Sequence, residues 1–354
     1  MNRRIGGTGG VGGGAAADLS GYRMAAPRLA QTPSPRRKAP PMDADKLHPQ
    51  LRTTFRFLPT APVATRLGRA VIRRATRLLP AGSPPVGAQS GTVDLGGGIP
   101  PVHVLNPVEN ASGAALLWIH GGGMVIGSPA QDYARMASLC TSLRITVVMA
   151  TYRLSLEHPF PTPPLDDCEA AWNWLVDHAG ERGIDPSRIA IGGESAGGGL
   201  TAMLTNRLHD KRDSGALQPA AQWMFCPMFD DRTAADRRLD DERHPLWNNR
   251  SNLVGWRSFL GTEPGSATVP EGSVPSRRDD LTGLAPAWIG SGTVDLFYEE
   301  DAAYARALAD AGVNVTLDEV PGAPHAFEAI SPAPVAKEYL ARSEAWLAGK
   351  LGCQ

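Results

Sequence analysis

A serine flanked by glycines is the first candidate for chemistry in this chain. Ser195 lies in GESAG, residues 193–197, after the apolar run RIAI and before GGGLTAMLTNRL, which has the composition of a helix. Small neighbours permit the strained strand-to-helix turn that presents a nucleophile, and the N-terminus of the next helix favours negative charge there. The string also occurs by chance, so a serine nucleophile requires a base, an acid and an oxyanion site elsewhere.

An oxyanion site is indicated by a second glycine cluster, HGGG, at residues 120–123. It follows AALLWIH, a continuous apolar run typical of a buried strand. Glycines let backbone N–H groups approach a developing oxyanion closely. A flexible glycine turn is the alternative, but HGGG upstream of GESAG favours a serine hydrolase.

The base and the acid are predicted from the order of the elements. Of the eight histidines, His325 follows the last predicted strand, in the loop EVPGAPHAFEAI. Asp295 comes directly after the predicted strand APAWIGSG, at the strand end where catalytic groups gather. The acids at 299–301 instead begin a helix, a position that acids favour in any case. The prediction is Ser195 as nucleophile, His325 as base and Asp295 as the acid that orients it, an order that α/β-hydrolases share.

Alternating strands and helices must position these residues. Apolar runs and helical periodicities alternate from residue 91 to 352, which predicts an α/β fold with a mostly parallel central sheet covered by helices on both faces. The region 229–285 breaks the alternation, and a lid insertion is expected at about 229–265. Residues 42–90 are expected to form an N-terminal helical lid segment.

The N-terminal composition differs from that of the rest of the chain. Residues 1–41 are basic and rich in Gly and Pro, and we expect a disordered tail. Residues 63–79 place apolar residues, Leu67 and Val71 among them, opposite arginines. Such a helix either lies on a membrane surface or packs with a solvated basic face.

Composition excludes several classes of function. The chain has a net charge of −1, and its part beyond residue 41 is acidic, which argues against a nucleic-acid partner. The four cysteines are far apart, so we expect reduced structural thiols and no metal site. No apolar run approaches the ~20 residues that span a bilayer, and the start has no signal-peptide core. A cytoplasmic location is expected, with peripheral membrane contact through the basic segments as an addition.

With these motifs assembled, the chain resembles the hormone-sensitive-lipase-type branch of α/β-hydrolase carboxylesterases, bacterial family IV. HGGGMVIGS, YRLSLEHPFPTPPLDDCEAAWNWL, GGESAGGGL and PGAPHAF carry the resemblance over roughly residues 91–350. It implies an oxyanion hole of the Gly122, Gly123 and Ala196 amides, a lid over a limited pocket, no cofactor, and in many members a homodimer. It also implies bracing roles for Tyr152, Arg153 and Glu157, and loop-fixing roles for Asp230 and Asp231.

The expected substrate is a small-molecule ester with a short- to medium-chain acyl group. Hydrolysis of carbamates, lactones or aryl amides uses the same groups and stays open. A non-catalytic small-molecule-binding protein on this fold, like the plant gibberellin receptor, which lacks the catalytic histidine, is disfavoured by His325. The candidate pocket walls, each also compatible with the core, are Met124, Trp223, Met228, Trp247, Trp256 and Phe297.

Overall fold

The computed structural model describes residues 42–77, 86–158 and 163–353. The predicted tail over residues 1–41 lies outside these ranges, as do residues 78–85 of the predicted N-terminal lid segment. Within the described residues, no helix combines the length and the apolar composition that crossing a bilayer requires.

The central sheet has eight strands in the described part of the chain, and their order across the sheet is β1-β2-β4-β3-β5-β6-β7-β8. β2 pairs antiparallel with β1 and with β4, and all other neighbours pair in parallel. This confirms the mostly parallel sheet. The strands are β1 Ala88–Val93, β2 Val102–Pro107, β3 Ala115–Ile119, β4 Thr146–Ala150, β5 Ile189–Glu194, β6 Gln222–Phe225, β7 Ala287–Gly292 and β8 Val315–Val320.

Helices follow the strands as the periodicities predict. The α-helices of the described residues are α1 Arg52–Phe55, α2 Arg66–Arg77, α3 Tyr133–Leu143, α4 Pro164–Asp177, α5 Ala196–Asp210, α6 Asp231–Ala235, α7 Asn249–Leu260, α8 Tyr298–Asp310, α9 Phe327–Ile330 and α10 Pro334–Leu351. α6 and α7 belong to the insertion between β6 and β7.

The core lies on both faces of the sheet because successive strand residues point to opposite sides. On β3, Leu117 and Ile119 join one apolar cluster, which contains residues of α4, α5 and α7. Leu116 and Trp118 join the opposite cluster, which contains residues of α3 and α10. Burial on both faces explains why the central strands read as unbroken apolar runs.

The N-terminal helix α2 exposes two apolar residues that the packed-helix interpretation places against the core. Val63 before it is buried, but the side chains of Leu67 and Val71 are 77% and 58% exposed. These two positions are therefore not packed; the helix packs instead through Gly68, which is buried, and Ile72, which lies against the core, so the packed-helix interpretation is wrong only about the face. The segment before α2 does contact the insertion, because the Ala61 amide donates to the carbonyl oxygen of Leu246 at 2.8 Å.

Candidate active site

Ser195 lies on a sharp turn between β5 and α5. Its backbone angles, φ 57° and ψ −117°, are in a region that non-glycine residues rarely adopt, as expected at a nucleophile elbow. The turn needs glycine at two neighbouring positions. A Cβ on Gly193 would lie 2.8 Å from the carbonyl oxygen of Ile119, and a Cβ on Gly197 would overlap the same oxygen.

His325 and Asp295 reach Ser195 from the loops after β8 and β7. His325 Nε2 lies 3.0 Å from Ser195 Oγ, and His325 Nδ1 lies 2.8 Å from Asp295 Oδ2. The second Asp295 oxygen accepts the Phe297 amide at 3.0 Å, which fixes the carboxylate. All three catalytic candidates are 4–6% exposed, so the hydrogen-bonded chain is shielded from water. The structure thus brings together three residues predicted from separate motifs.

The pKa of His325 is raised above its ordinary value of 6.5. Burial alone lowers it, but the charge and the hydrogen bond of Asp295 and the nearby carboxylates of Glu194 and Glu328 together raise it more. The arrangement therefore stabilises the imidazolium that forms when His325 takes a proton from Ser195.

The glycine loop lies beside the nucleophile. A Cβ on Gly121 would come within 3.4 Å of Ser195 Cβ. Gly122 and Gly123 have φ of 118° and 61°, so the loop uses conformations that favour glycine. Ala196 begins α5, where helical amides have no partner within the helix. This placement suits the expected oxyanion hole.

Tyr152, Arg153 and Asp231, for which the resemblance implies bracing or loop-fixing roles, make polar contacts. The Tyr152 hydroxyl donates to the carbonyl oxygen of His120 at 3.0 Å. The Arg153 guanidinium pairs with Asp167, with a shortest separation of 2.6 Å. In the insertion, Asp231 pairs with Arg277 at 2.8 Å. Each contact joins separate segments of the chain, and none of them includes Ser195.

Five of the six candidate pocket residues belong to the apolar cluster that contains Ala196: Met124, Met228, Trp247, Trp256 and Phe297. The Trp247 ring lies against Gly123, where a Cβ would overlap it. The Phe297 ring is 5.3 Å from the His325 ring. The Met228 amide donates to the carbonyl oxygen of Ser195.

Trp223 does not join these residues. It belongs to the cluster on the opposite face of the sheet, with its ring 5.7 Å from that of Trp118. Its indole N–H donates to the carbonyl oxygen of Ser343 at 3.2 Å. The expectation of Trp223 as a pocket wall is therefore corrected: the residue is part of the core.

A buried charged network behind the serine escaped sequence analysis. Arg135 on α3 lies 3.4 Å from Glu194 and stacks on the Phe225 ring at 4.0 Å. Burial and the Glu194 charge raise the pKa of Asp132 to about 7 and that of Glu328 to about 8. Arg135 and Glu194 are 59 residues apart, so no local pattern links them.

Cys226 is a second residue that the sequence did not connect with the site. One donor atom from each of Cys226, Asp295 and His325 lies within 4.8 Å of the others. Burial raises the pKa of the Cys226 thiol well above its ordinary value, so the thiol is held neutral beside the histidine.

Comparisons with known proteins agree with this geometry. Residues 116–329 match a protein family described as "alpha/beta hydrolase fold". The chain is 34% identical to the ethyl acetate hydrolase of Pseudomonas putida, over 64% of this chain and 71% of that protein. It is 29% identical to carboxylesterase NlhH of Mycobacterium tuberculosis, over 80% of this chain and 89% of that protein.

Solved structures show the same likeness in three dimensions. The structure titled "Bacterial Heroin Esterase" superposes with a TM-score of 0.76 at 32% identity, over 87% of this chain and 98% of that one. An esterase from the bacterial hormone-sensitive lipase family superposes with a TM-score of 0.66 at 28% identity, over 79% of this chain and 91% of that one.

Proposed function

Because this chain belongs to the α/β-hydrolase fold family, in its hormone-sensitive-lipase-type branch, we propose that it hydrolyses carboxylic esters with short- to medium-chain acyl groups. The observation that carries the proposal is the alignment of Ser195 Oγ, His325 and Asp295 at separations of 3.0 and 2.8 Å. The names of the relatives, among them ethyl acetate hydrolase, support small esters as the substrate class.

The proposed reaction proceeds through an acyl-enzyme. Ser195 Oγ attacks the ester carbonyl carbon while His325 Nε2 takes the hydroxyl proton, and His325 then gives that proton to the leaving alcohol. Asp295 keeps the imidazole in the tautomer that accepts at Nε2. A water molecule, deprotonated by His325, attacks the acyl-enzyme, and His325 returns that proton to Ser195 Oγ as the bond to the acyl group breaks and the acid leaves.

The amides of Gly122, Gly123 and Ala196 are proposed to hold the tetrahedral oxyanion. The glycine loop adjoins Ser195, and the Ala196 amide opens α5, so both elements can direct N–H groups at one oxygen. Each such donor stabilises the transition state by about 3 kcal/mol. Formation of the tetrahedral intermediate needs a proton acceptor and N–H donors, and His325 and these amides supply them.

A series of p-nitrophenyl esters from acetyl to palmitoyl tests the substrate class. We expect kcat/KM to be highest for short or medium chains, whereas a maximum at palmitoyl would contradict the proposal. Ser195→Ala should abolish turnover and labelling by a fluorophosphonate probe. Ser343→Ala, at a buried serine of α10, is the matched control and should keep both. Labelling of the Ser195→Ala protein would disprove the assigned nucleophile.

We also propose that residues 42–77 and the insertion act as a lid. The Thr60 hydroxyl donates to the His244 carbonyl oxygen at 3.0 Å, and Trp247 lies on Gly123, so the two segments meet beside the glycine loop. Amide hydrogen exchange in both segments should slow when a phosphonate occupies Ser195. Unchanged exchange would contradict a lid.

The location and the partners are proposals of the same kind. All four cysteines are free of disulfides, which supports a cytoplasmic location, and a disulfide in the native protein would contradict it.

The exposed Leu67 and Val71 support peripheral contact with an anionic membrane, and an absence of vesicle co-sedimentation at low salt would contradict it. A homodimer rests on the family alone and is tested by sedimentation.

A further inference from the structure

Helix α7 of the insertion packs directly over the glycine loop. A Cβ on Gly255 would lie 2.8 Å from the carbonyl oxygen of Gly123 and 3.5 Å from the Met228 side chain. Trp247, which precedes the helix, places its ring against Gly123. One face of α7 is therefore a wall beside the proposed oxyanion hole.

Asn252 lies at the centre of this buried face. At helical spacing it shares the face with Gly255, three residues on, and Trp256, four residues on. The residue is 0% exposed, and neither its amide nitrogen nor its amide oxygen has a hydrogen-bond partner among the described residues. The buried indole N–H groups of Trp247 and Trp256 also lack partners there.

An unpartnered buried carboxamide is unusual because native proteins satisfy most buried polar groups. Asn249, one turn earlier on the same helix, is partly paired: its amide nitrogen donates to the Asp236 carbonyl oxygen at 2.8 Å and to Asp240 at 3.2 Å. Its amide oxygen has no partner among the described residues, whereas Asn252 has none at either atom. A mostly apolar wall with a few unpaired polar groups is characteristic of a ligand pocket, where those groups bind the ligand.

We propose that Asn252 determines specificity for esters that carry a neutral hydrogen-bonding group, a hydroxyl or a second carbonyl, close to the reacting ester. A carboxamide both donates and accepts, so it matches such a group without a charge. Gly255 and Trp256 on the same helix face are uncharged, as is Trp247, which like Gly255 lies against Gly123, and this disfavours an ionised substituent in the same place. The inference rests on the proposed ester hydrolysis and names the part of the substrate that the insertion recognises.

Matched ester pairs test the inference in the full-length protein. Ethyl 3-hydroxybutyrate against ethyl butyrate places the hydroxyl on the acyl side, and 2-hydroxyethyl butyrate against propyl butyrate places it on the alcohol side. We expect the wild type to prefer the hydroxylated ester in one of the two pairs. Asn252→Leu should lower kcat/KM for that ester by about tenfold or more and leave the apolar partner within about twofold.

Thermal unfolding separates recognition from a structural role. Asn252→Leu removes an unpaired polar group and should keep or raise Tm, whereas Asn249→Leu, the matched control, loses two hydrogen bonds and should lower it. Equal ester ratios in the wild type and Asn252→Leu, or a fall in Tm as large as that of Asn249→Leu, would overturn the inference. If the wild type did not hydrolyse even ethyl butyrate, the proposed ester hydrolysis itself would be wrong, and this result differs from the outcomes that would overturn the role of Asn252.

Discussion

The catalytic floor and its cover are built in different ways. The floor comprises the ends of β5, β7 and β8 with Ser195, Asp295 and His325, which are joined by hydrogen bonds of 2.8 and 3.0 Å. The cover is the proposed lid, which comprises residues 42–77 and the insertion between β6 and β7. It meets the floor through apolar contacts, such as Trp247 on Gly123, and through a few hydrogen bonds, such as that from the His48 amide to the Gly322 carbonyl oxygen at 2.8 Å. It also buries the unpartnered Asn252 amide.

This difference separates chemistry from selectivity. Catalytic groups must stay within a fraction of an ångström of their productive geometry, which rigid strand ends and paired polar groups provide. A surface that recognises a variable substrate needs space and unpaired polar groups. We therefore expect floor substitutions to abolish the reaction and cover substitutions to change which ester is used.

The largest effect should follow from removing the Asp295 charge. Asp295→Asn places a donor opposite His325 Nδ1, so the wrong tautomer forms and kcat falls by about 10⁴-fold, the loss known for the equivalent change in a serine protease. Steady-state kinetics with p-nitrophenyl butyrate measures the loss.

Asp301 is the matched control for Asp295. It is also fully buried, but burial raises its pKa well above the ordinary value, and its hydrogen bond is to Ser291. Asp301→Asn removes a carboxyl group that makes no hydrogen bond to His325, so kcat should stay within a few-fold of the wild type. Equal losses in the two variants would show that the acid is misassigned.

A large effect on folding is expected at the elbow. Gly197→Ala places a methyl group onto the Ile119 carbonyl oxygen and 2.7 Å from the His120 carbonyl oxygen, both of them backbone atoms. The free energy of unfolding should fall by about 3 kcal/mol in urea titrations. In α10, a Cβ on Gly349 meets nothing within 4 Å, so Gly349→Ala should stabilise by about 0.5–1 kcal/mol. Equal stability of the two variants would refute close packing at the elbow.

The floor is also the part that the sequence predicts best. GESAG and HGGG directly follow apolar runs, so each motif could be placed at the end of a strand before the fold was known. His325 and Asp295 follow the last two predicted strands, and parallel strands bring such ends to one edge of the sheet. Local sequence pattern and sheet topology together are therefore sufficient to predict Ser195, Asp295 and His325 as one group.

Other contacts were beyond sequence analysis because they depend on which face a side chain takes. β6 is buried on both sides, so its apolar run has no period that could assign Trp223 to the core face. The pairing of Arg135 with Glu194 joins α3 to β5 and depends on how that helix packs on the sheet. The unpaired state of Asn252 is a property of three-dimensional packing alone.

The pH dependence of kcat/KM reports on the charged surroundings of His325. The base must be neutral, and its pKa is raised, so the acid limb should have its midpoint above pH 6.5 and fall about tenfold per pH unit below it. Glu194→Gln removes one carboxylate that raises the pKa, and the midpoint should move to lower pH. Glu344 on α10 is a partly buried glutamate that is not among the groups shifting the pKa of His325, so Glu344→Gln is the control and should leave the midpoint in place. A midpoint below 6.5 in the wild type would contradict the raised pKa.

The smallest effect is expected from the cover, at Trp247. Trp247→Ala removes the ring that lies on Gly123 and opens space beside the proposed oxyanion hole. The triad keeps its hydrogen bonds, so kcat/KM for acetyl esters should change by only a few-fold. For octanoyl esters kcat/KM should rise several-fold, because the added space accepts methylene groups and each one contributes about 0.8 kcal/mol when buried. Trp346→Ala, at a tryptophan of α10, should leave the chain-length profile unchanged. If Trp247→Ala instead lowered kcat/KM equally for every ester, Trp247 would belong to the floor, and the division between chemistry and selectivity would have to be redrawn at the glycine loop.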